Sequence, residues 1–166
     1  MQSPVLQFQR LPDASRKMAA VAIADWFFTK HFIKFAQDQD LTRRLLGYPD
    51  ALEALMAPEV MIEIAWPDWP AGDCDCFTMF ICALLECQGG IDWEIVTLAC
   101  SRRQPGVWSH VYPRAVIGGM RLPLDASHGH YPGWSVPASD ITRMAVYDSR
   151  GNLVSPGGLA EDEEVM

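Results

Sequence analysis

The 166-residue chain has no apolar run long enough to cross a membrane as a helix. Its longest, Met18 to Phe28, is about half of the roughly 20 residues a span needs and is broken by Asp25. Arg10, Arg16 and Lys17 precede it, but the apolar stretch before any Ala-x-Ala site is too short for a signal peptide, so no export or membrane segment is expected. Basic residues are scarce. Thirteen Lys and Arg stand against 21 Asp and Glu, for a net charge of −8, and no basic stripe occurs. That excludes a nucleic-acid partner, because binding a phosphate backbone needs clustered cations. No CxxC pair is present. The five cysteines, Cys74, Cys76, Cys82, Cys87 and Cys100, are odd in number, so a fully paired disulfide framework cannot form within one chain. Reduced thiols and synthesis in the cytoplasm are expected. Internal repeats and low-complexity tracts are also missing.

What is present reads as a globular domain. The chain is 49% apolar and 20% charged, and it can bury a core without disulfide or metal staples. The expected organisation is one domain over 1–160, with a helical part at about 13–56 and a core at about 57–150. The acidic tail 161–166 reads as a solvated end.

Pro12, Asp13 and Ser15 supply helix-start signals, and Met18, Val21, Ala22, Phe28, Phe32 and Phe35 recur at helical spacing. Shorter helical stretches are predicted from Leu41 to Leu46 and from Pro49 to Met56. From Met61 to Gly72 the density of Trp66, Pro67, Trp69 and Pro70 argues against a regular helix. A strong helix pattern follows Gly72-Asp73, with Phe77, Phe80, Ile81, Leu84 and Leu85 on its apolar face and Gly89-Gly90 ending it. Then the period shifts. Trp93–Ala99, His110–Ile117, Met120–Leu124 and Ile141–Tyr147 read as strands. Gly118-Gly119 marks a hairpin, and a turn is predicted at Ser149-Arg150-Gly151-Asn152. Helices first and antiparallel strands after give an α+β fold.

The segment Gly72-Asp73-Cys74-Asp75-Cys76-Phe77 sets a cysteine in the first turn of a buried helix. Unpaired backbone N–H groups and the helix dipole favour an anion there, which would lower the thiol pKa. Asp73 is placed to be the N-cap, yet Asp73 and Asp75 both oppose a thiolate. A thiol nucleophile needs a proton acceptor, and His110 opens a strand immediately after the Gln104-Pro105-Gly106 turn. A base histidine needs an orienting carboxylate. Asp125 ends the next strand, level with His110 to within about two residues if the Gly118-Gly119 hairpin forms.

The ordered motifs GDCDCF, SHVY and RLPLDAS resemble those of the transglutaminase-like cysteine-peptidase superfamily, over about residues 57–137. HGHYPGW is similar to a His-x-Pro-Gly-Trp stretch of its small bacterial and phage members. The resemblance implies a papain-like core, with the nucleophile at the start of a central helix packed on an antiparallel sheet. It assigns Cys74 as nucleophile, His110 as base and Asp125 as the orienting residue. It implies an acyl-enzyme on amide bonds of a peptide or protein substrate, no cofactor, and a place in a virion, such as its tail, beside other virion proteins. Cys76 stands where many phage-type relatives carry a second aspartate, and Ala126 replaces a common proline. Members of the superfamily hydrolyse amides, cross-link glutamine to lysine, or have lost activity, so two other classes stay open. One is an inactive structural or assembly protein that docks through its N-terminal helix. The other is a metal-binding module built on His128, His130 and cysteines. Trp66, Trp69, Trp108 and Trp134 fit either a cleft lining or a core. His31, Cys82 and Cys87 read as packing residues, and Cys100 has no assigned role.

Overall fold

The computed structural model describes residues 12–30, 34–38, 40, 43, 55–65 and 70–155. Three α-helices, a short 3-10 helix at Ala138–Asp140 and seven strands are defined within them. Helix α1 spans Asp13–Lys30, β1 Lys34–Phe35, α2 Pro58–Ala65, β2 Pro70–Gly72 and α3 Cys74–Gln88. The strands β3 Asp92–Ala99, β4 His110–Ile117, β5 Met120–Pro123, β6 Arg143–Asp148 and β7 Leu153–Ser155 follow. The last five form one antiparallel sheet in the order β5-β4-β3-β6-β7, and β1 pairs with β2 in parallel. This is the expected α+β arrangement of helices and an antiparallel sheet.

Each main element forms for a local reason. In β3, Glu94, Val96 and Leu98 alternate inward. β4 is buried along almost its whole length because both of its faces are covered. Ala115 and Ile117 on one face join Phe77, Phe80, Ile81 and Leu85 of α3 and Ala20 and Ala24 of α1 in the main core. On the other face Tyr112 packs with Val96, Leu98 and Val146 under Val136 and Ile141. The β4–β5 hairpin turns on Gly118 and Gly119, at φ +58° and +84°, the positive-φ pair that a tight hairpin turn requires. A buried ion pair, Arg114 Nε to Glu94 Oε2 at 2.6 Å, ties β4 to β3, and Arg121 of β5 reaches the same carboxylate at 3.3 Å.

Two expectations are corrected. Helix α1 ends at Lys30, so Phe35 lies in a strand rather than on the helix. The stretch from Met61 is helical as far as Ala65, because Pro58 occupies the first turn, where proline is favoured, and the disruptive prolines come later. Pro70–Gly72 is a short strand. The turn at 149–152 leads into β7, which completes the sheet edge. The predicted helix at 41–46, most of that at 49–56, and Trp66 and Trp69 lie outside the described residues.

Gly72 sits where β2 passes over the first turn of α3. A Cβ at this position would fall inside the contact distance of Cys76 Cβ and 3.1 Å from its sulfur. Gly72→Ala is expected to destabilise the protein by about 1–3 kcal/mol, as overpacking does. Urea unfolding of the two proteins checks this, and an unchanged midpoint would show that β2 is not held against α3.

Candidate active site

The first turn of α3 and the start of β4 carry the predicted residues. Asp73 occupies the N-cap position of α3 in extended backbone, but its side chain makes no cap hydrogen bond. Cys74 begins the helix and is half-buried. The backbone N–H of Val111, the residue after His110, favours the Cys74 thiolate. The Thr78 hydroxyl lies 2.7 Å from the Cys74 carbonyl and 3.1 Å from that of Val111. One side chain thus pins the helix start to the strand start. Cys76 is fully buried, and its sulfur takes the Met56 N–H at 3.3 Å. Of the two thiols in GDCDCF, Cys74 is the accessible one.

His110 and Asp125 meet as expected. Nε2 of His110 and Oδ2 of Asp125 are 2.6 Å apart, with both side chains buried. The other carboxylate oxygen, Oδ1, accepts the Ser127 N–H, the Ser127 hydroxyl and the His128 N–H. Burial alone would push the Asp125 carboxyl up. The hydrogen bond and charge of His110, with the donors of His128 and Ser127, bring it below the ordinary carboxylate value instead. When the ring is neutral, ionised Asp125 holds the shared proton on Nε2, and the lone pair of Nδ1 is then free. Nδ1 is buried and has no hydrogen-bond partner among the described residues, Cys74 included. The ring shares its face of β4 with Tyr112, centroids 5.8 Å apart, whereas α3 packs under the opposite face. The link between thiol and imidazole therefore runs through the strand end at Val111 and not through a direct bond.

The helix start does not yield a ready thiolate. Burial first, then the Asp73 and Asp75 charges, push the Cys74 thiol up to about 11 despite the Val111 N–H. Asp73 itself is raised to about 8 by burial and by a hydrogen bond with Asp75, with the charges of Asp75 and Asp38 adding to this. Asp73 therefore carries a proton through most of the neutral range.

Several neighbours join the site. His128 packs edge-on against His110, ring centroids 4.5 Å apart, and both line a cleft of about 700 Å³ with Trp134, Val136, Pro137 and Cys100. The Arg102–Asp140 ion pair, at 2.6 Å, lies in its wall. Cys74 does not line this cleft. Trp134 takes the cleft-lining role that the sequence left open to it. Trp108 is on the surface, stacked by Arg143 at 4.5 Å. The His128-x-His130 pair is divided, because His130 packs on Trp134 and belongs to neither metal-capable cluster among the described residues. Those clusters are His110 with Asp125 and His128, and Asp73 with Asp75 and Cys76.

A raised thiol pKa fixes how Cys74 reacts with a neutral alkylating agent. Its rate is expected to climb about tenfold per pH unit from about pH 7 to 10 without levelling off. Cys82, buried and pushed up to about 12, is expected to react more slowly throughout. Peptide mapping after iodoacetamide pulses measures both, and a plateau for Cys74 at or below about pH 8 would contradict the assignment.

The chain matches no protein-family model and no curated protein. Among solved structures, one from Cytophaga hutchinsonii, described as that of a "Putative Cysteine Protease", aligns with 97% of this chain at 16% identity and a TM-score of 0.45. The alignment covers 54% of that structure, so the chain spans about half its length.

Proposed function

We propose that this chain is a cysteine enzyme of transglutaminase-like, papain-like architecture that acts on amide bonds through an acyl-enzyme. The observation that carries the proposal is the buried His110–Asp125 bond, made one residue before the Val111 carbonyl that Thr78 ties to the Cys74 carbonyl. With the thiol up to about 11, Cys74 is not a preformed thiolate, so His110 acts as a general base during attack. Nδ1 takes the thiol proton as sulfur bonds to the carbonyl carbon. Asp125 stabilises the imidazolium, which then returns the proton to the departing amine as the C–N bond breaks. Backbone N–H groups at the start of α3 hold the oxyanion. Water or a second amine releases the acyl group. The cleft beside His110 is large enough for a peptide segment or an amide side chain.

Two observations favour a second reading, an inactive protein that keeps the fold. The thiol and imidazole share no hydrogen bond, and Cys74 does not line the cleft. Acyl trapping separates the two. A library of short glutamine-containing peptides is incubated with the full chain, quenched in acid and analysed by intact mass. The enzyme reading predicts a covalent adduct on Cys74 that hydroxylamine releases. The adduct should be absent in Cys74→Ala and formed at least about a hundredfold more slowly in Asp125→Asn. No adduct from any peptide, with both variants folded, supports the inactive protein.

A further inference from the structure

We propose that His110, Asp125 and His128 form a binding site for a transition-metal cation of the zinc class. One donor atom from each of the three residues lies within 4.8 Å of the others. Two imidazoles and a carboxylate are the donor types zinc takes, at about 2.0–2.2 Å each, and three protein ligands with an open fourth position make a complete set. Closing on such an ion requires the donors to move by only about 1 Å.

The surroundings orient the donors as metal ligands are oriented. Asp125 Oδ1 is occupied by three protein donors, which leaves Oδ2 available. The Ser127 hydroxyl lies 3.1 Å from His128 Nδ1, so Nε2 is the nitrogen of His128 left for a ligand. His110, more than nine-tenths buried, already holds Nε2 2.6 Å from Asp125 Oδ2. Both histidines line the cleft, which gives an ion an entry path and room for water in the fourth position. The other acidic group, Asp73 with Asp75 and Cys76, lacks imidazoles and has no comparable support.

An ion here takes the Nε2 lone pair, so the ring proton that now joins His110 to Asp125 moves to Nδ1. That an occupied site disables His110 as a base rests on the proposed function; binding itself does not. The same three residues then serve either as part of a triad or as a metal site, but not as both at once. His128 is the residue that distinguishes the two, because the triad has no need of it.

The test reads binding rather than activity, so it stands whether or not the chain is an enzyme. Zn²⁺ is titrated into the full-length wild-type, Cys74→Ala, His128→Gln and His130→Gln proteins against a chromophoric chelator. The expected result is one ion per chain, affinity kept in Cys74→Ala and His130→Gln, and a loss of about tenfold or more in His128→Gln. Co²⁺ is expected to give visible ligand-field bands without a thiolate-to-cobalt charge-transfer band, since no sulfur is in the set. Circular dichroism confirms that each variant is folded. Affinity unchanged in His128→Gln, affinity lost in Cys74→Ala, or a thiolate charge-transfer band would each overturn the assignment.

Discussion

The hydrogen bond between His110 and Asp125 is the contact on which the rest of the site depends. A carboxylate in a buried position is costly unless its oxygens are satisfied. Asp125 meets that requirement through His110 on one oxygen and three donors of the following turn on the other. The turn in turn leans on the residue, since Gly129 N–H bonds to the Asp125 carbonyl at 2.9 Å, and a side chain on Gly129 would collide with that oxygen. Leu124 N–H bonds to the Pro113 carbonyl at 2.9 Å and carries the hairpin past the formal end of β5. The ring of His110 is therefore fixed by a frame built from β4, β5 and residues 125–129.

Cys74 sits in a field of opposing effects, and their sizes decide the outcome. A helix terminus stabilises an anion by about 0.3–1 kcal/mol, which is less than a tenfold gain in thiolate. Burial and two flanking carboxyl groups outweigh it, and the thiol rises. Partial neutralisation of Asp73 at neutral pH limits the repulsion but does not reverse it. A chemistry that needs thiolate must therefore generate it at the moment of attack, which places the whole burden on the free nitrogen of His110.

Much of this was legible in the sequence where the signal is local. Helix α3 runs from Cys74 to Gln88, between the Asp73 and Gly89 that mark its ends, and β4 runs from His110 to Ile117 as its apolar pattern says. The Gly118-Gly119 hairpin follows from backbone chemistry. Non-local features were not legible. The placement of β6 between β3 and β7 depends on which edges meet, and two- or three-residue strands such as β1, β2 and β7 have no period to read. His128 was paired with His130 rather than with His110 because its contact with His110 is made by the turn at Asp125, not by spacing. Its pairing with His130 failed for the same reason. The thiol's acidity also escaped, since helix position is written in the sequence and depth of burial is not.

The central claim is that Asp125 holds the His110 ring with its proton on Nε2 and leaves Nδ1 as the free nitrogen. Long-range ¹H–¹⁵N spectra of the histidine rings at neutral pH, before and after carboxamidomethylation of Cys74, test it most directly. The account predicts a protonated Nε2, an unprotonated Nδ1, and a shift of the Nδ1 resonance on alkylation. A proton on Nδ1, or an Nδ1 resonance indifferent to the alkyl group, would contradict it.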